Sequence, residues 1–339
     1  MYVFVTTQLP IKLNPSARYP HQSALHSPTA IRPPPVMNQS TTTTIFAVVV
    51  TYEPDEALLS RLLLALAPQV SGGIIINNAS SLSLPDVYLQ QAGFSVRHLN
   101  SNVGVATALN AGFDWARAQG AGFVITFDQD SEPAPDMVSR LLGAYSAQLE
   151  AGHKVGAVGP QQVDRRSRRV AAFIAPIAGP RRKMLPVDGQ ALEVDHLITS
   201  GCLVPLQAWL STGPFLDALF IDYVDIEWSL RMRSKGWHLY GVGGASLVHT
   251  IGDDIKHWGG RQVAWHGPPR HYYLFRNGVY LQTLPHIPLM WKLSDALQLL
   301  KKLVFFTLVG RPRTAHLKAM LRGIKNGFYK RLGPAPAPD

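Results

Sequence analysis

Two acidic side chains, Asp128 and Asp130, follow an apolar segment in the middle of the chain. The preceding residues Gly122–Phe127 are apolar and β-branched, which predicts a buried strand. Two carboxylates one residue apart make a hard, oxygen-rich group, and Mg²⁺ or Mn²⁺ binds such a group together with substrate phosphates. Because aspartate is also common in turns and Ser131–Pro133 is turn-like, the pair by itself leaves an ordinary turn open.

A second acidic group, Asp225 and Glu227, lies within the segment Phe220–Trp237. Apolar residues and Arg231 follow at helical spacing, which predicts a helix with both acids in its first turn. The helix dipole favours the ionised form of a carboxylate there, and such a carboxylate can take a proton from a hydroxyl group as a general base. Charge at the helix N-terminus and an ion pair between Glu227 and Arg231, four residues apart, account for Arg231 and do not account for Asp225.

Three weaker signals come from short polar segments. Thr199–Gly201 is a small turn where a backbone can approach a ligand, and His249 follows an apolar run, as a metal ligand could. Arg270 and Arg276 lie six residues apart beside aromatic residues and could grip a diphosphate. The residues alone favour an aromatic core helix with exposed arginines for this last segment.

The elements that must position these residues alternate along the chain. Short apolar runs predict strands at 45–51, 73–77, 95–99 and 122–127, and helical spacing predicts helices at 58–66 and 103–119. Regular alternation of this kind indicates a parallel α/β sheet, in which ligands bind beyond the carboxyl ends of the strands. The acids after the fourth strand fall at such an end.

Composition limits the classes of protein that remain. The chain has 339 residues, enough for a large core, and its single cysteine, Cys202, excludes a disulfide framework or a multi-cysteine zinc site. We expect no membrane-spanning helix and no secretory signal. Residues 1–43 are rich in Pro, Ser and Thr and are predicted to be disordered, with Met37 as a possible true start.

The net charge of +10 is concentrated near the C-terminus. Between Trp291 and Leu332, ten lysines and arginines accompany one acid, Asp295. A basic, apolar segment can bind nucleic acid or an anionic membrane, or it can be a solvated helix face. Composition does not choose among these, although no nucleic-acid-reading motif is recognisable and we expect no nucleic-acid partner.

Taken together, the motifs resemble family-2 glycosyltransferases, and more narrowly their bacterial rhamnosyltransferase branch, from about Ile45 to Gly333. The residues that carry the resemblance are Val48–Tyr52, Asn77–Ser80, Asn102–Gly104, Ala108–Gly112, Asp128–Asp130, Ser200–Gly201, Phe220–Trp237, His249 and Arg270–Asn277. The resemblance implies a GT-A-type fold: a mixed, mainly parallel nucleotide-binding sheet flanked by helices, over 44–265, with a helical C-terminal extension over 266–339.

It also implies an inverting transfer of a sugar, with dTDP-L-rhamnose as the expected donor and Mg²⁺ or Mn²⁺ as cofactor. By this likeness the donor nucleotide contacts Thr51, Tyr52, Asn77, Asn78, Asn102, Gly104, Asp128, Arg270 and Arg276, while Asn277 lies near the donor diphosphate or acceptor. Asp130, Asp128 and His249 are the expected metal ligands, and Asp225 is the expected catalytic base, assisted by Glu227. Ser200, Gly201 and Trp228 are expected near the acceptor, a cell-surface polysaccharide or lipid-linked saccharide.

The family commonly has Asp-Asn-Gly-Ser where this chain has Asn77–Ser80, so a UDP-linked donor is the alternative to a dTDP-linked one. A sugar nucleotidyltransferase, a nucleic-acid-binding protein and a non-catalytic sugar-binding module are the other functions considered. Lipid-linked acceptors lie at the cytoplasmic face of an anionic membrane. We therefore expect the basic extension to attach the protein peripherally to the inner face of the cell membrane.

Overall fold

The structure of the protein is a computed structural model that describes residues 43–80, 89, 93–176, 182–249, 254–258 and 261–336. Residues 1–42, which contain nearly all of the segment predicted to be disordered, lie outside the described residues. The predicted division at residues 44, 265 and 266 stays a prediction.

A mixed sheet forms the centre of the molecule. Its described strands are β1 (Ile45–Thr51), β2 (Gly72–Asn77), β3 (Phe94–His98), β4 (Phe123–Asp128), β5 (Glu132–Pro133), β6 (Val155–Asp164), β9 (Ala191–Glu193), β10 (Cys202–Pro205) and β11 (His238–His249). They lie in the order β3-β2-β1-β4-β10-β6-β11-β5, and β9 pairs with β11. Two hairpins lie apart from this sheet, β7 (Phe173–Ile174) with β8 (Lys183–Met184), and β12 (Asp254–Trp258) with β13 (Arg261–Trp265).

The first four strands are parallel, as the sequence predicts. Strand β10 then runs antiparallel to both β4 and β6, while β6 and β11 are parallel. The carboxyl ends of β4 and β11 consequently lie at the same edge of the sheet. Asp128 ends the first of these strands and His249 ends the second.

Helices cover both faces of the sheet. They are α1 (Glu56–Leu66), α2 (Val105–Ala118), α3 (Met137–Glu150), α4 (Leu206–Thr212) and α5 (Val224–Ser234). Alternate residues of β1 enter different cores: Ala47 and Val49 pack with α1 and α3, whereas Val48 packs with α2 and α5. Helix α1 begins two residues before the predicted Leu58, because the Asp55 carboxylate accepts hydrogen bonds from the first-turn amides.

A helical extension follows the sheet. It consists of α6 (Pro268–Leu281), α7 (Leu289–Val309) and α8 (Arg313–Phe328), and α6 packs along α8. Within the described part of the chain, every helix is too short or too polar to cross a lipid bilayer. The buried faces of α6 and α7 reach the core on the α2 side of the sheet through Leu274, Phe275 and Trp291. The extension is therefore packed onto the sheet domain.

Candidate active site

Asp128, Asp130 and His249 meet at the carboxyl edge of the sheet. The His249 Nδ1 atom lies 3.1 Å from Asp130 Oδ1, and its Nε2 atom lies 3.8 Å from Asp128 Oδ2. The His249 side chain is nearly buried, whereas 40% of the Asp128 side chain and 23% of the Asp130 side chain are exposed. The two predicted acids and the predicted histidine thus form one cluster that opens to solvent through its carboxylates.

The cluster is electrostatically coupled. Burial raises the pKa of Asp128, His249 opposes this rise, and the neighbouring Asp130 and Asp225 carboxylates add to it. Burial alone would lower the pKa of His249, but the hydrogen bond with Asp130 and the charge of Asp128 outweigh it and raise that pKa. Since Asp225 acts on the pKa of Asp128, the third predicted acid lies within electrostatic range of the cluster.

Polar contacts beneath the cluster fix its backbone. The Gln129 side chain accepts a hydrogen bond from the Tyr52 amide at 2.7 Å and donates one to the Tyr52 carbonyl at 3.1 Å, which ties the ends of β4 and β1 together. Arg165 donates from Nη2 to the Asp130 carbonyl at 3.0 Å and from Nη1 to Glu132 at 2.8 Å. Gln129 and Arg165 were not among the predicted site residues, although Gln129 lies between the two acids.

Asp225 is placed by a strained turn before α5. Phe220, Asp222 and Tyr223 all have positive φ angles, of 65°, 61° and 63°. Residues with a Cβ atom adopt this conformation only at a cost in free energy, so surrounding contacts must hold the turn. Asp225 lies in the first turn of α5, and its Oδ1 accepts a hydrogen bond from the Ile226 amide at 2.9 Å.

Helix α6 supplies the contacts that hold this turn. The Asn277 side-chain amide donates to the carbonyls of Leu219, Ile221 and Asp222 at 2.9, 2.7 and 2.9 Å. Arg276 is fully buried and donates to the carbonyls of Leu219, Ala218 and Gly333. Both side chains are buried and engaged with the backbone of this turn, and the expected contacts of Arg276 and Asn277 with a donor diphosphate or acceptor stay predictions.

Arg270, by contrast, remains at the site. Its guanidinium group lies 3.2 Å from Asp222 Oδ1 and is partly exposed, and its charge opposes the rise that burial causes in the pKa of Asp128. Burial alone would raise the pKa of Asp222, but the charge and hydrogen bonds of Arg270 outweigh it and hold that pKa below its ordinary value. Asp222 is a further site residue that the sequence interpretation missed, although it lies only three residues before Asp225.

The predicted nucleotide-binding residues form a hydrogen-bonded edge beside the cluster. The Asn78 backbone amide donates a hydrogen bond to the Thr51 carbonyl at 2.8 Å. The Asn78 side chain donates a hydrogen bond to the Asn102 side chain and accepts one from the Val103 amide, each at 2.9 Å. Asn102 also accepts a hydrogen bond from the Gly104 amide at 3.0 Å. The ends of β1 and β2 are thereby joined to the beginning of α2.

Gly104 links this edge to the turn before Asp225. Its φ is +83°, and a Cβ atom there would lie 2.6 Å from the Phe220 carbonyl oxygen. The next amide, that of Val105, donates to the same carbonyl at 2.7 Å. Close approach of Phe220 explains the glycine and connects the first turn of α2 with the turn that places Asp225.

Exposure differs among the residues of this edge. Tyr52 is 51% exposed and Asn102 is exposed, whereas Thr51, Asn77 and Asn78 are buried. The Asn77 side chain donates to the Ser80 carbonyl and accepts from the Ser80 amide and hydroxyl, so it shapes the turn. The side chains that reach solvent here are therefore those of Tyr52 and Asn102.

Glu227 and Trp228, which the resemblance places near the acceptor, are buried in the structure. Glu227 is fully buried; both its oxygens accept hydrogen bonds from Arg231, at 2.9 and 3.0 Å, and His286 lies 3.0 Å from one of them. Trp228 is 2% exposed and donates to the Gly213 carbonyl. Neither side chain can contact an acceptor in this arrangement, because both belong to the core contacts of α5.

Ser200 and Gly201 also lie below the site. Ser200 is fully buried, its hydroxyl accepts from the Asp128 amide at 3.2 Å, and it lies 2.6 Å from the Ser131 hydroxyl. A Cβ atom on Gly201 would lie 2.9 Å from the Leu247 side chain in the core. These two residues support the Asp128 loop, and their expected contacts with the acceptor stay a prediction.

Comparison with known proteins agrees with the fold. The family profile described as Glycosyl transferase family 2 matches residues 46–202, which include both acids after β4. The chain is 30% identical over 251 residues to the dTDP-rhamnosyl transferase RfbF of Shigella flexneri, an alignment that covers 74% of this chain and 83% of that protein.

Two solved structures share the architecture. The structure of S. aureus TarS 1-349 has a TM-score of 0.53 at 14% identity, over 85% of this chain and 82% of that chain. The structure of GalNAc-T7 with UDP, GalNAc and Mn²⁺ has a TM-score of 0.51 at 13% identity, over 79% of this chain and 58% of that chain. This chain also spans 44% of a longer TarS chain. The predicted GT-A-type fold with a helical C-terminal extension is confirmed, and the chain belongs to glycosyl transferase family 2.

Proposed function

We propose that the protein transfers L-rhamnose from dTDP-L-rhamnose to a hydroxyl group of a cell-surface polysaccharide or lipid-linked saccharide, with inversion at the anomeric carbon. The donor follows from the likeness to a dTDP-rhamnosyl transferase over most of both chains. The observation that carries the chemistry is the cluster of Asp128, Asp130 and His249 at the carboxyl edge of the sheet, with the Asp225 charge within electrostatic range of Asp128.

Asp225 is the general base in this proposal. Its carboxylate is partly exposed, lies in the first turn of α5, and is oriented by the Ile226 amide. It takes the proton from the acceptor hydroxyl as the oxygen attacks the anomeric carbon and the bond to the nucleotide diphosphate breaks. A single displacement of this kind inverts the anomeric configuration.

Mg²⁺ or Mn²⁺ is the proposed cofactor, and Asp130, Asp128 and His249 are its proposed ligands. Carboxylate oxygens suit both cations, whereas an imidazole nitrogen is not a usual ligand of Mg²⁺. In the described residues no group of three His, Cys, Asp or Glu side chains is arranged around one cation position. The His249 ring lies 3.1 Å from Asp130 and 3.8 Å from Asp128, so these three side chains would hold the metal at the carboxyl edge of the sheet. When bound, the metal supplies positive charge that stabilises the leaving diphosphate.

The exposed side chains of Tyr52 and Asn102 are the proposed contacts for the nucleoside, and Arg270 is proposed for the diphosphate. Asn77 favours a second candidate donor. Its amide donates to Ser80, which a carboxylate at this position cannot do, so the base contact of relatives with aspartate is altered. A UDP-linked sugar is therefore the alternative donor.

A panel of nucleotide sugars tests the donor. Purified protein with Mn²⁺ or Mg²⁺ is incubated with dTDP-L-rhamnose and with UDP-linked hexoses, and the slow release of nucleotide diphosphate is measured. We expect release from dTDP-L-rhamnose to exceed that from each UDP-sugar. Preference for a UDP-sugar would overturn the donor assignment, and no release from any donor, with no binding of dTDP or UDP, would overturn the function.

A further inference from the structure

Helix α7 has an unusual distribution of side chains. Its buried face carries Asp295 and Lys302 beside Trp291, Leu299 and Phe306. Its solvent face carries apolar residues three or four positions apart that are 51% to 69% exposed: Leu289, Leu293, Leu297, Leu300, Val304 and Leu308. These six residues, the α7 stripe, run along nearly the whole helix, about 28 Å at 1.5 Å per residue. Such a continuous exposed apolar surface marks a surface that binds a partner.

The polar groups of the buried face are engaged inside the molecule. Asp295 is fully buried, and the Tyr223 hydroxyl donates to it with oxygen–oxygen distances of 3.2 Å. Trp291 donates from Nε1 to Asp195 at 3.1 Å. Because these contacts fix which face of α7 turns inward, the α7 stripe cannot be buried by rotating the helix.

Positive charge lies on both sides of the α7 stripe and on the neighbouring helix α8. Lys292 and Lys301 fall on opposite sides of it at 100° per residue, and Lys301 is exposed. On α8 and the residues after it, Arg322, Lys325 and Arg331 line a cavity of about 670 Å³ whose lining includes no acid. The one acid between residues 291 and 332, Asp295, is fully buried. The described surface of α7 and α8 therefore presents cations without anions.

From this surface we infer that the α7 stripe lies on an anionic lipid bilayer, with its leucines in the acyl boundary and the flanking lysines at the headgroup phosphates. An exposed apolar stripe bordered by cations is the pattern of a helix that lies in the interface plane. A second copy of this chain is the less favourable occupant, because pairing the two stripes brings two segments of net charge +9 together. The inference deepens the proposed function, because it assigns the surface of the protein that lies on the membrane. It rests on the proposed function only in placing the acceptor at that membrane.

Vesicle flotation without any sugar donor tests the inference. The full chain is mixed with vesicles of phosphatidylcholine alone or mixed with phosphatidylglycerol, at low and high salt. The test variant carries Leu293→Gln, Leu297→Gln and Leu300→Gln. Its matched control carries Leu64→Gln, Leu149→Gln and Leu210→Gln, three leucines that are 48% to 53% exposed elsewhere.

We expect the wild type and the control to float with the anionic vesicles, and the stripe variant to lose about tenfold or more in partition, since each leucine loses the gain of burial. In a second variant, Lys292→Gln with Lys301→Gln, we expect weaker binding at low salt and a smaller salt dependence. Circular dichroism checks that each variant is folded. If the leucine variant is unfolded, the lysine variant provides the test of membrane binding.

Equal flotation of wild type and stripe variant would overturn the inference, as would wild type that stays unbound at low salt. A wild-type dimer that becomes monomeric in the stripe variant, without vesicle binding, would assign the surface to a second copy. Donor hydrolysis in solution is measured on the same variants. A variant that no longer binds vesicles but hydrolyses the donor at the wild-type rate has lost only the membrane contact. The membrane contact and the transferase function are therefore tested separately.

Discussion

Asn277 on α6 is predicted to control catalysis without touching substrate. Its side-chain amide donates to three carbonyls of the turn that precedes Asp225. Three residues of this turn hold positive φ angles, so the turn is expected to relax towards ordinary backbone conformations when those contacts are removed. The substitution Asn277→Ala removes them while it leaves every predicted substrate-contacting side chain in place.

The magnitude follows from the carbonyls left without a donor. The Leu219 carbonyl keeps its bond from Arg276, whereas no other donor to the carbonyls of Ile221 and Asp222 is described. A buried polar group that loses its partner costs about 1–3 kcal/mol, so we expect the loss of the donor to these two carbonyls to lower the free energy of unfolding by about 2–6 kcal/mol. A displacement of about 1 Å at the base costs about 100-fold in rate, so we expect kcat to fall between about tenfold and 100-fold.

The assay is steady-state transfer or donor hydrolysis at a temperature where the variant is folded, with kcat and the donor KM measured separately. We expect the donor KM to change less than about threefold, because the nucleotide edge is formed by other elements. Asn326→Ala is the matched control: Asn326 is also a buried asparagine of the extension, and it donates to the Tyr272 hydroxyl at 2.9 Å. Lower stability with unchanged kcat in both variants would refute the positioning argument.

Three further substitutions test separate parts of the site. Asp130→Ala is expected to weaken nucleotide binding about tenfold or more in the presence of Mn²⁺ and to leave binding without metal unchanged, measured by calorimetry; equal affinities would remove Asp130 from the ligand set. Glu227→Gln is expected to lower the free energy of unfolding by about 3 kcal/mol, since Arg231 loses a buried partner, with kcat changed less than about threefold; loss of kcat at unchanged stability would restore the catalytic interpretation of Glu227. Ala79→Gly is expected to stabilise the protein by up to about 1 kcal/mol in urea unfolding, because the φ of Ala79 is 66°, and a destabilised variant would contradict this explanation.

The apolar runs predicted the sheet well, because strands covered on both faces leave a clear signal. Gly122–Phe127 and Ile45–Thr51 become adjacent parallel strands, and Asp128 falls at the carboxyl end where the parallel-sheet rule expects a ligand. The cluster with His249 depends on the parallel pairing of β11 with β6. The sequence supplied the histidine only as a weak signal, and the resemblance to the family gave it a role.

The sequence did not predict that several expected site residues are buried, and these cases share a physical cause. Glu227, Trp228 and Arg276 have side chains suited to ligand binding, and sequence spacing does not reveal which face of a helix is buried when both faces carry polar and apolar residues. Helix α5 is such a case, because Ile226, Glu227 and Trp228 are all buried in succession. Asn277 acts across 55 to 58 residues of sequence on the turn before Asp225, a separation at which no local pattern predicts contact.

The most direct test of the proposed chemistry is a comparison of transfer rate and nucleotide affinity in Asp225→Asn. Asparagine preserves the shape of the side chain and removes its ability to accept a proton, and Asp188→Asn, at a 75% exposed surface aspartate, serves as the control. We predict that Asp225→Asn loses transfer by about 100-fold or more while its dissociation constant for dTDP changes less than about threefold, and that the control keeps both values. Transfer by Asp225→Asn at the wild-type rate, with normal nucleotide binding, would contradict the account.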